Sequence, residues 1–148
     1  MKKATLITLI LGFILFSCRN QEHKFQSKVL KTYLSKNYSI KDLEDKKYLI
    51  IIPAVHCKGC VIKGLRTLNQ IIKKKRNNIL LIHYSNSKIP KSLENKIDIR
   101  LDKKNEISDY NLKLGSISVF ELKNLKIKNA NHFIVSNLHE IKNLKFNI

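Results

Sequence analysis

Tyr48-Leu49-Ile50-Ile51-Ile52-Pro53 leads through Ala54-Val55 into His56-Cys57-Lys58-Gly59-Cys60-Val61, a passage from an apolar run to a pair of cysteines. Five consecutive apolar residues, three of them β-branched, read as a strand buried on both faces, as in a sheet covered by helices. Pro53 has no backbone N–H to continue a sheet ladder and ends the run. From Cys60 onward Val61, Leu65, Leu68, Ile71 and Ile72 recur on one helix face. Lys73-Lys74-Lys75-Arg76 is read as the closing turn of that helix, where the dipole favours cations. The two thiols are thus expected where a strand's carboxyl end meets a helix's amino end.

Downstream, Asn77-Asn78 is a turn, and Ile79 to Tyr84 is a second buried strand. Ile89 to Lys96 is read as a short helix starting at Pro90, and Ile97 to Leu101 alternates like a half-exposed third strand. A loop or brief helix runs through Tyr110. Ile117 to Leu122 and Leu125 to Ile134 form a hairpin turning at Lys123-Asn124, and Asn137 to Leu144 a final helix. Upstream, Phe25, Val29, Leu30 and Leu34 have helical spacing to about Lys36, where Asn37-Tyr38-Ser39 interrupts it. No internal repeat and no dividing linker is evident.

The N-terminus has a different character. Met1-Lys2-Lys3 is cationic, and Leu6 to Phe16 is apolar apart from Thr8 and Gly12. This run falls short of the roughly 20 apolar residues a spanning helix needs, and charged start plus short apolar core is the pattern of a secretory signal. It stops at Leu15-Phe16-Ser17-Cys18 and turns polar at Arg19-Asn20. Leu-x-small-Cys at this place resembles the lipobox of bacterial lipoproteins. The resemblance implies cleavage before Cys18 and a diacylglyceryl group on its sulfur, with a larger residue, Phe16, than the family usually has. Residues 1–17 are then a signal peptide, 18–24 a lipidated tether and 25–148 one domain, held outside the cytoplasm on the cell membrane or outer membrane. An uncleaved anchor or an ordinary secreted protein are the alternatives.

With Cys18 assigned to lipid, Cys57 and Cys60 are the remaining thiols, in a compartment where disulfides persist. No further cysteine completes a four-thiolate zinc site. The order of strand, C-x-x-C, long helix, strand, hairpin and helix resembles thioredoxin-like domains over about Lys46 to Leu144, carried by Ile50 to Pro53 feeding His56 to Cys60, and by Ile99 to Asp102 followed by Tyr110. The implied fold is α/β, with a central mixed sheet flanked by helices. The implied chemistry is thiol–disulfide exchange with partner proteins of the envelope, without a cofactor. Cys57 is then the exposed nucleophile and Cys60 the resolving thiol, with His56 and Lys58 as flanking cations or plain loop residues. The family's cis-proline facing the dithiol has no counterpart, since Gly115-Ser116-Ile117-Ser118 occupies that region and the prolines are Pro53 and Pro90. A cis bond without proline costs about 3 kcal/mol, so the usual clamp on a substrate backbone is not expected.

Val55 to Val61, with Leu65 and Leu68 beyond, also resembles the heavy-metal-associated domain, in which two loop thiolates hold a soft ion such as Cu(I). That family expects a Gly-Val after the helix, whereas Lys73 to Asn78 intervenes here, and Asp102 to Ile148 is left without a role. A structural disulfide without turnover is the third reading.

Lys and Arg number 29 against 11 Asp and Glu, a formal charge of +18 from which a cleaved signal removes only Lys2 and Lys3. Export, and basic residues scattered over Lys46-Lys47, Lys73 to Arg76 and Lys103-Lys104, argue against nucleic acid as the partner. A basic face beside anionic lipid gains attraction at close range. His83 and His132 are read as packing or surface residues, and His23 and His139 have no partner spacing. No paired-carboxylate, Ser-His-Asp or phosphate-loop signal is present.

Overall fold

The computed structural model describes residues 24–54, 57–84 and 88–146. The expected signal peptide, Cys18 and His23 lie outside these residues, as does His56. Among the described residues no helix is long and apolar enough to cross a membrane.

The fold is α/β, with a five-stranded mixed sheet flanked by helices, as the sequence predicts. Helix α1 (24–37) and a 3-10 turn (Ile40–Leu43) lead to β1 (Tyr48–Ile52), α2 (Lys58–Ile71), β2 (Arg76–Tyr84), α3 (Lys91–Glu94) and β3 (Ile97–Asp102). A 3-10 turn (Glu106–Asp109) precedes the hairpin of β4 (Ile117–Lys123) and β5 (Lys126–Phe133), and a last 3-10 helix spans Leu138–Asn143. The strands lie in the order β3-β2-β1-β4-β5. β1 and β2 pair in parallel, Ile50 opposite Leu81, and β2 and β3 likewise. β4 runs antiparallel to β1, with Val119 opposite Ile50.

β1 is buried at all five positions, because it is central and both faces are covered. Tyr48, Ile50 and Ile52 join Val61, Leu65 and Leu68 of α2 and Leu138 and Ile141 on one face. Leu49 and Ile51 meet Leu30, Tyr33 and Leu34 of α1, with Ile107, Leu112 and Phe120, on the other. Each fully buried Leu or Ile contributes roughly 1.5–3 kcal/mol, so this strand holds both layers to one sheet. Gly64 lets α2 lie close on β4, since a Cβ there would overlap Ile117 Cδ1. On the opposite face α1 is tied to the hairpin by Ser27 Oγ, which accepts the Ile127 N–H at 3.0 Å.

Several boundaries differ from expectation. α2 stops at Ile71, so Lys73–Arg76 is not its last turn. Arg76 already belongs to β2, opposite Ile97, and gives its N–H to Lys96 O at 2.6 Å. The helix expected over Ile89–Lys96 is the four-residue α3, and the expected final helix is 3-10. β3 is half-exposed as anticipated, with Leu101 42% exposed, and it lies at one edge of the sheet. The hairpin turns at Asn124-Leu125, one residue later than expected. Both residues have positive φ, 52° and 58°, as a two-residue turn matching strand twist requires.

Candidate functional site

Cys57 and Cys60 form a disulfide, with Cα atoms 5.4 Å apart. β1 delivers the chain to this point and α2 begins immediately beyond it. Cys57 is the N-cap residue of α2, and its Sγ accepts the Cys60 N–H at 3.3 Å. The first N–H groups of a helix have no intrahelical partner, and they favour negative charge on the atom they face. The two sulfurs are unequal. Cys60 is 7% exposed and packs in the core, whereas Cys57 is half-buried and lines an open cleft. Gly59 is exposed, and a side chain there would meet nothing within 4 Å.

The cleft has a volume of about 420 Å³. Pro53, Ala54 and Cys57 line it, together with Tyr110, Leu114, Gly115, Ser116 and Ile134 among others. Gly115 and Ser116, the stretch read as the place of the missing cis-proline, therefore do share the cleft with Cys57. Ser118 does not, being fully buried. Its hydroxyl instead accepts the Gly115 N–H at 2.9 Å and lies 2.9 Å from His132 Nδ1. Gly115 has no room for a side chain, because a Cβ would stand 2.6 Å from the Phe133 carbonyl oxygen.

A second support holds the residues beside the disulfide. Asn105, in the left-handed region at φ 54°, accepts the Ala54 N–H on Oδ1 at 2.9 Å, tying the end of β1 to the turn after β3. Asp102, buried at 7% exposure, organises that turn. Its carboxylate accepts the N–H groups of Glu106 and Ile107 at 2.9 Å each and the Tyr33 hydroxyl at 3.2 Å. Tyr33 also meets the cleft residue Tyr110 edge-on, centroids 5.3 Å apart. Burial pushes the Tyr33 hydroxyl far above the usual tyrosine range, its contact with Tyr38 adding to the effect.

Asn105 and the Tyr33–Asp102 pair escaped sequence reading. The one available signal was the polar Lys103-Lys104-Asn105 stretch, which marks a turn without saying what it holds. His83, at the end of β2, gives its Nδ1 proton to the Tyr84 carbonyl at 2.9 Å, and burial lowers its pKa. His132 packs edge-on against Phe120, and His139 is exposed. No group of three or more His, Cys, Asp or Glu able to hold a metal occurs among the described residues. Compared with known proteins, the chain matches no family model, no curated protein and no solved structure.

Proposed function

We propose that this chain is a lipid-anchored, thioredoxin-like thiol–disulfide exchange protein of the cell envelope, acting through Cys57 and Cys60. The observation that carries this reading is the Cys57–Cys60 disulfide at the start of α2, with Cys57 Sγ on a helix N–H and open to a cleft. The placement of β2 parallel and adjacent to β1, with the β4–β5 hairpin antiparallel on its other side, supports the fold assignment.

In the reducing direction the Cys57 thiolate attacks one sulfur of a partner disulfide. A Cys57–partner disulfide forms, and the other partner sulfur leaves as thiolate. The Cys60 thiol loses its proton and attacks Cys57 Sγ, closing the Cys57–Cys60 bond and releasing the second partner thiolate. Two electrons have passed from the dithiol to the partner. The reverse sequence oxidises a partner dithiol. Attack depends on thiolate character and access, which the helix start and the cleft favour at Cys57.

The test is a redox titration of the full chain against glutathione, with the Cys57–Cys60 state read by alkylation. One reversible two-electron transition is expected, with Cys57 alkylated before Cys60 in the reduced form. A pair that stays oxidised across the accessible range would make the bond structural. Tight Cu(I) binding by a reduced pair that performs no exchange would make the protein a metal carrier. The anchor is tested separately, by mass spectrometry for a diacylglyceryl group on an N-terminal Cys18.

A further inference from the structure

The described residues lining the cleft beside Cys57 are uncharged, whereas the helix on its edge is cationic. α2 contains no acidic residue along Lys58–Ile71. Its exposed positions include Lys58, Ile62, Lys63 and Arg66, which lie on neighbouring turns because residues three and four apart share a helix face. Among the described residues, none of the three cations has an ion-pair partner, although acids elsewhere pair with Lys36, Lys46 and Lys128. Exposed apolar side chains occur both on α2 and at the cleft. Ile62 is 42% exposed, and Ile134, a lining residue, and its neighbour Val135 are 52% and 70% exposed.

We propose that this surface docks an acidic protein segment. An uncharged, partly apolar stretch carrying the reacting sulfur would lie in the cleft, and flanking carboxylates would lie along Lys58, Lys63 and Arg66. The inference rests on the exchange reading and names the class of partner for that site. Charge complementarity selects the occupant. Exposed like charges raise the encounter rate of an oppositely charged partner, and over distances near 10 Å that effect is strong only at low salt. A bilayer would match the charge but not the shape, because a concave site beside a reacting sulfur takes a chain segment and a flat lipid surface cannot enter it.

The experiment uses the full chain in neutral detergent, reduced, with two disulfide-bridged peptides of identical uncharged core, one flanked by Glu and one by Lys. Hydroxyethyl disulfide serves as a small neutral probe. The Glu-flanked peptide is expected to oxidise the protein about tenfold faster at low salt, with the gap closing as salt is raised. The double substitution Lys63→Glu with Arg66→Glu should narrow the gap severalfold. Equal rates for the two peptides, with hydroxyethyl disulfide still reacting, would overturn the docking surface and leave the exchange reading standing. No reaction with hydroxyethyl disulfide would remove the exchange reading, and the docking surface with it. If the peptides react alike and Lys63 is shielded from acylation only in phosphatidylglycerol vesicles, the face meets lipid and the proposal is overturned.

Discussion

Gly115 donates its backbone N–H to the buried hydroxyl of Ser118 across 2.9 Å, and this bond holds the loop that shares a cleft with Cys57. Two substitutions test it by different physics. Gly115→Ala places a Cβ 2.6 Å from the Phe133 carbonyl oxygen and 3.0 Å from its nitrogen, so backbone must move; overpacking of this kind costs about 1–3 kcal/mol. Ser118→Ala leaves the Gly115 N–H without its acceptor in a buried place, also about 1–3 kcal/mol. Urea unfolding should show both losses. The rate of Cys57 alkylation in the reduced protein should change more in Gly115→Ala, where the loop itself is displaced.

Tyr33 couples the turn after β3 to alkaline stability. Its hydroxyl is held neutral in the fold, chiefly by burial. Above the usual tyrosine pKa of about 10 the unfolded chain releases this proton while the folded chain keeps it. The folded state then binds more protons, so stability is full below pH 10 and falls as pH rises beyond it. Tyr33→Phe should lose about 1 kcal/mol at neutral pH from the missing bond to Asp102 and show a shallower decline above pH 10. An unchanged decline would mean that Tyr33 ionises in the folded protein. Asp102→Ala should cost more than Tyr33→Phe, because it strips the acceptor from two backbone N–H groups as well.

His83 acts at the other end of the pH scale. Burial lowers its pKa below the ordinary 6.5, so between that value and its folded pKa the unfolded chain takes up a proton that the folded chain refuses. Stability from this residue is therefore complete above pH 6.5 and lost as pH falls through the folded pKa. His83→Gln should flatten the curve of urea midpoint against pH between 7 and 5, and an unaltered curve would assign the acid limb to other groups.

The two buried strands were legible because their environment imposes one requirement on every residue. β1 faces a helical layer on each side, so all five of its residues had to be apolar. No such requirement acts on Lys73–Arg76, which is not buried. Four cations after an apolar helix face read as a last turn, but the pairing of Arg76 with Ile97 draws the chain into β2, and tertiary pairing outweighs helix propensity. The last segment is only six residues long, too short for helical periodicity to separate an α-helix from a 3-10 one. At the site, the cysteine pair is local and was visible. Its supports are not: Tyr33 and Asp102 stand 69 positions apart and Ala54 and Asn105 stand 51 apart, distances over which no motif spacing operates.

The assignment of separate roles to the two cysteines gives the most direct test. Cys57 lines the cleft and accepts a helix N–H, while Cys60 packs among Val61, Leu65 and the other core residues. A partner sulfur can therefore approach Cys57 and not Cys60. In the proposed exchange, a Cys60→Ser variant would still form the mixed disulfide through Cys57, with nothing left to resolve it. With Cys57→Ser, the remaining thiol is 7% exposed and has no route to a partner. Cys60→Ser should accordingly accumulate covalent complexes in the envelope, seen as reducible bands on non-reducing gels, and Cys57→Ser should accumulate few. Ser116→Pro tests the docking side of the same step, since Ser116 lines the cleft with Cys57; it should raise the rate on generic protein disulfides if the absent proline limits it. Equal trapping by both cysteine variants would mean that burial does not separate their roles. Trapping by neither under oxidising growth would leave the Cys57–Cys60 bond as a brace between β1 and α2.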